Sequence, residues 1–113
     1  MYENEFELIE TAVDQLDSTA CQTLLAQIDI WQTQNFTDKQ LALSIIGWIG
    51  QNAIEEPEGF TEAILTVILA INAEDDEFFE GLEAYIDEQQ EDPEATPKEV
   101  AKRIIRWIAD LFD

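Results

Sequence analysis

Oxygen is the one kind of chemistry this chain offers in quantity. It carries 26 Asp and Glu against five Lys and Arg, no histidine and one cysteine, for a net charge of −21. Residues 74–94 alone hold eleven acids and no base. Hard divalent cations such as calcium take about six to eight oxygens from carboxylates, carbonyls and waters. The candidate ligands are therefore Glu74, Asp75, Asp76, Glu77 and Glu80 in one stretch, Asp87, Glu91, Asp92 and Glu94 in the next, and Asp38. Capping is the competing use of Asp75 and Asp76, because both stand where a new helix should begin. Asp38 has the same ambiguity, as a first-turn partner for a helix dipole.

The tract imitates an EF-hand without being one. From Asn72, oxygen side chains fall at loop positions one, three, five, nine and twelve, as Asn72, Glu74, Asp76, Glu80 and Glu83. The position that needs a glycine turn holds Glu77, and so dense an acidic run matches by chance. Other chemistries lack parts. There is no histidine base, no glycine-rich phosphate loop and no G-x-S-x-G elbow, so no enzyme is expected. One cysteine forms no internal disulfide and no zinc site. The acidic start MYENEFE has neither the basic nor the apolar region of a signal peptide, which points to a reduced, cytoplasmic setting. Nucleic acid and anionic membranes should be repelled.

Helices must position these oxygens. An apolar content of 46% supports a folded core despite the charge. Residues 5–16 place Phe6, Ile9, Val13 and Leu16 on one face, and Asp17-Ser18-Thr19 restarts the chain. A second helix turns Leu24, Leu25, Ile28 and Trp31 inward. Thr37 with Gln40 reads as a capping box for a third, which buries Leu41, Ile45, Trp48 and Ile49 and should stop near Gly50. Residues 51–59 connect to the stretch FTEAILTVILAI, residues 60–71. Its only charge is Glu62, and it is apolar nearly all round. Such a helix predicts a buried rod at the centre of a bundle, and is too short to span a bilayer. A fifth helix follows Asp75 or Asp76, with Phe78, Phe79, Leu82, Tyr85 and Ile86 inward. Thr96-Pro97-Lys98-Glu99 opens the last helix with a capping box and an N1 proline. The expected fold is all-α, a single domain over residues 1–113 with five or six short helices around the 60–72 helix.

Antiparallel neighbours would bring alternate loops together. One end would gather Asn35 and Asp38 with Glu74 to Glu77 and both termini. The other would gather Asp17, Glu55, Glu56 and Glu58 with Asp87, Glu88, Glu91, Asp92 and Glu94. A helix of that length separates the ends by roughly 18 Å, which predicts at least two cation sites. The bases form a separate feature. Residues 1–97 carry 23 acids and only Lys39, whereas Lys98, Lys102 and Arg106 line one face of the last helix with Arg103 beside them. That row is either a docking face or an internal counter-charge supported by Glu99 to Arg103. The counter-charge is favoured in so anionic a chain. Trp31, Trp48 and Trp107 fall at core spacing and read as packing.

The segments ENEFELIETAVDQLD, INAEDDEFFEGLEAYIDEQQEDPE and AKRIIRWIADLFD together resemble the small, acidic, helical calcium-binding proteins of heterocyst-forming cyanobacteria, which lack EF-hands. That resemblance implies reversible calcium binding in the cytoplasm, buffering of free calcium, and a bearing on calcium signalling during heterocyst differentiation. The only methionine is Met1, so there is no Met-rich groove to expose, and buffering is expected rather than a large opening. A different class of function fits the same charge: an acidic interaction protein that imitates nucleic acid and occupies a basic partner. A third possibility is a soluble bundle whose acids are merely solvated.

Overall fold

A computed structural model describes all 113 residues. It contains α1 (Glu3–Gln15), α2 (Ser18–Thr33), α3 (Asp38–Asn52), α4 (Phe60–Asn72), a short 3₁₀ turn (Asp76–Phe79), α5 (Leu82–Gln90) and α6 (Pro97–Leu111), with no strand. The expected all-α bundle is the one observed. Every helix contributes to one core of 23 buried residues, and no polar or charged side chain is fully buried.

Both capping boxes form as read. The Thr37 hydroxyl accepts from the Gln40 N–H while Gln40 Oε1 accepts from the Thr37 N–H, and Thr96 and Glu99 repeat the exchange. Because Glu99 turns back to its own N-cap, the expected Glu99–Arg103 pair is replaced by contacts from Arg103 to Gln89 and Asp92.

Three expectations need correction. The first is the centre of the bundle. α4 is buried only along Phe60, Ala63, Ile64, Val67 and Ile71, while Leu65 and Leu69 are 56% and 69% exposed. It packs on α1 and α3 and leaves its outer face uncovered. The central rod is α3, which touches α1, α2, α4, the 3₁₀ turn and α5 and buries Leu41, Ala42, Ile45, Ile46 and Ile49. Hydrophobicity all round a helix is satisfied by full burial or by an apolar outer face, and periodicity does not distinguish them.

The second concerns the role of Gly50. α3 does stop nearby, at Asn52, but it runs through the glycine to get there. A Cβ there would stand 3.0 Å from Ile64 Cγ2, so the glycine permits close approach of α4 and is no stop signal. The third is the fifth helix, which is split. Asp75 caps the 3₁₀ turn, and the chain then breaks at Gly81, whose φ of +99° lies in the left-handed region that favours glycine, before α5 begins.

Candidate functional site

Asp38 is the first residue of α3. Thr37 and Gln40 already cap that helix, so the Asp38 side chain is free to reach elsewhere. Its two oxygens accept from the Gly81 N–H at 3.2 Å and the Glu83 N–H at 3.0 Å. These are orphan donors at the start of α5, whose own N-cap is a glycine with no side chain to offer. Asp38 therefore caps a helix 43 residues away in sequence. Beside it lies an open hollow of about 500 Å³, lined by Phe36, Thr37, Asp38, Asp76, Gly81 and Glu83 among others. The expected meeting of the Asp38 loop with the acidic tract does occur here, and Lys39 Nζ also reaches across to the Asn72 carbonyl at 3.1 Å.

The other candidates disperse. Asp75 accepts from the Phe78 N–H at 3.1 Å. Asp87 accepts from Gln32 Nε2 at 3.0 Å, in the last turn of α2. Asp92 accepts from the Glu94 N–H at 3.0 Å and from Arg103 at 3.1 Å. Asp76, Glu77, Glu80, Glu91 and Glu94 are exposed, and Glu74 is half-buried. No three acidic side chains converge in a group able to hold a metal ion. The two gathered clusters expected at the ends of the bundle are thus not assembled. The physical reason is plain: like charges repel, and an N–H at a helix start offers each carboxylate a nearer partner than another carboxylate does.

All the bases are engaged inside the chain. Lys98 Nζ donates to the Asp14 carbonyl at 2.7 Å, and Lys102 Nζ to the Asp14 carboxylate at 2.9 Å. Arg106 Nε donates to Glu10 at 2.7 Å, and Arg103 is held by Asp92 and Gln89. With Lys39 on the Asn72 carbonyl, all five Lys and Arg side chains are accounted for. The row on α6 is the counter-charge that seats α1 and the loop after α5, as favoured above. These pairs are partly exposed and individually weak, about 0–1 kcal/mol each. Their larger consequence is that each base sits against an internal acceptor, although Lys102, Arg103 and the exposed Arg106 still share one surface hollow on α6.

Two of these contacts set a pH response. The Glu94 N–H, and then Arg103, hold the Asp92 carboxyl below its ordinary range. The Thr96 N–H, then its hydroxyl, do the same for Glu99. A carboxyl depressed in the fold adds stability that is complete above its unfolded pKa and is lost as pH falls through the folded value. An Asp92→Asn variant should therefore melt below the wild type at pH 7, with the gap closing below about pH 4. A gap that persists unchanged to pH 3 in parallel melts would contradict this role for Asp92.

Cys21 and the tryptophans have packing roles. Burial pushes the Cys21 thiol up, which disfavours the thiolate a nucleophile needs. Trp31 stacks on Phe36 at 6.0 Å and Trp107 on Tyr85 at 5.8 Å. No helix is long and apolar enough to cross a membrane. Comparison with known proteins finds no family model, no curated protein and no solved structure that matches this chain.

Proposed function

We propose that this chain is an acidic interaction protein that occupies the basic surface of a partner, as phosphate charge would. The observation that carries the reading is the engagement of every Lys and Arg side chain by an internal acceptor. The charge that remains outward is overwhelmingly carboxylate, most of it held by nothing within the protein, with Arg106 the one exposed base. A surface of that kind steers a cationic partner from a distance and disfavours self-association. A reducing, cytoplasmic setting is part of the proposal, in keeping with a lone buried thiol.

The test is displacement. A basic DNA-binding domain is loaded on a fluorescent duplex in calcium-chelated, low-salt buffer, and the acidic protein is added. Release of the duplex, weakening steeply as salt rises, is the expected result. A duplex that stays bound in the presence of excess protein at low salt would rule the proposal out.

A second reading, calcium binding of the buffering kind, is supported by the hollow in which Asp38, Asp76 and Glu83 share a wall. Both Asp38 oxygens there already accept from the Gly81 and Glu83 N–H groups, so a calcium ion in the hollow would have to draw on Asp76, the Glu83 carboxylate and waters, or displace the cap. Calcium bound at one hundred times its Kd would add about 2.7 kcal/mol to stability for one site. That gain must exceed the gain from sodium chloride of equal ionic strength, because any salt relieves repulsion in a chain of charge −21.

A further inference from the structure

The outer face of α4 carries Leu65 and Leu69, two of the five large apolar side chains that the bundle leaves exposed. Between α3 and α4 runs a groove of about 250 Å³, walled by Gly47 and Gly50 on one side and by Ile64, Leu65 and Ile68 on the other. Leu69, one turn beyond Leu65, extends the same face and is 69% exposed. The groove is kept open by composition: a Cβ added at Gly47 would meet nothing within 4 Å. Its surroundings are acidic. Glu55, Glu56 and Glu58 are all exposed along the connector that leads into α4, with no base among them, while Glu62 lies on the α1 side of the helix. The Thr61 hydroxyl, on the groove wall, lies 3.4 Å from Glu56 Oε1 and so places that carboxylate at the rim. Lys39 lies in the first turn of the same helix as the glycines, but its ammonium is engaged by the Asn72 carbonyl.

An apolar trough with an anionic rim has a matching ligand: a helix with leucine-like residues along one stripe and Lys or Arg flanking it. A second copy of this chain matches poorly, because it would bring one charge of −21 against another. An anionic lipid surface is repelled in the same way. We infer that the α3–α4 groove docks a cationic amphipathic helix of a partner protein, with Leu65 and Leu69 covering its apolar stripe and Glu56, with the neighbouring connector acids Glu55 and Glu58, facing its bases. This inference rests on the acidic-partner reading and adds to it a place and a shape: the charge brings the partner in, and the groove selects it.

Two synthetic peptides of identical composition separate the two ideas. One arranges leucine and lysine as an amphipathic helix; the other scrambles them so that no apolar stripe forms. Each is labelled and titrated with the full chain, read by fluorescence anisotropy at low and at moderate salt. The wild type should bind the amphipathic isomer at least about ten-fold more tightly than the scrambled one, with the preference surviving moderate salt. Leu65→Asn and Gly47→Leu should each bring the amphipathic isomer down to the scrambled level. Both positions are at the surface with room around them, and circular dichroism melts confirm that the variants are folded. Equal, salt-sensitive binding of both isomers would overturn the groove assignment while leaving the acidic-partner reading intact. Failure of both isomers to bind at low salt would overturn the two together. Concentration-dependent dimerisation of the free chain in sedimentation, abolished by Leu65→Asn, would show that a second copy covers this face and would also overturn the inference.

Discussion

Replacing Phe79 with alanine is expected to destabilise this fold by about 3–5 kcal/mol, the largest single effect anticipated outside the helices. Phe79 is the only buried residue of the 3₁₀ turn and is fully inaccessible. Its ring packs edge-on against Phe78 at 5.0 Å and lies 6.4 Å from Phe112. The turn touches α3 and α6, and Phe79 is its one fully buried link to the core. The turn has little else to hold it: Asp76 and Glu77 are exposed, and four residues of 3₁₀ helix are marginal alone. Self-repulsion leaves little reserve elsewhere in a chain of charge −21. Thermal unfolding followed by circular dichroism should show a midpoint lowered by roughly 10–20 °C. Phe78→Ala, at a half-buried position, should lower it much less. A loss below about 1 kcal/mol for Phe79→Ala would mean that the turn is not anchored as described.

The second large effect is at Asp38. Losing an N-cap acceptor costs about 0.5–2 kcal/mol, and Asp38 serves two donors at the start of α5. Asp38→Ala should fall near the upper end of that range and Asp38→Asn, which keeps one acceptor oxygen, well below it. The loss should be local as well as global. Amide exchange should quicken at Gly81 and Glu83, while Gln40, protected by its own capping box, stays unchanged. Chelated buffer makes the comparison informative. A cap contributes with or without calcium, so Asp38→Ala must be destabilised in both conditions. Destabilisation seen only with calcium present would move Asp38 from cap to ligand.

The sequence disclosed what is local. Thr96, Pro97 and Glu99, and Thr37 with Gln40, announce their helices because the interacting groups lie three residues apart. The core face of α1 follows from spacing alone, in Phe6, Ile9, Val13 and Leu16. What stayed hidden is relational. Composition marks residues 60–72 as a helix, yet it does not say whether Leu65 and Leu69 face a neighbour or water. Gly50 has the look of a helix stop, but its meaning depends on Ile64, fourteen positions later. Gly81 breaks the fifth helix because Asp38 is at hand to cap the next one, a dependence spanning 43 residues. The carboxylates are the clearest case. Helix ends do bring Asp38 to the acidic tract, as topology suggested. Charge counting could not foresee that Asp75, Asp87 and Asp92 would each find a separate N–H or Arg partner.

The decisive measurement is a pair of amide-shift maps on the labelled full chain, one titrated with a lysine-rich peptide in calcium-chelated buffer, the other with calcium at constant ionic strength. The proposed function predicts saturable, salt-sensitive shifts with the peptide and only small, unsaturating shifts with calcium. No response to the peptide, together with saturable calcium shifts converging on Asp38, Asp76 and Glu83, would contradict it and establish the hollow at the start of α5 as a metal site.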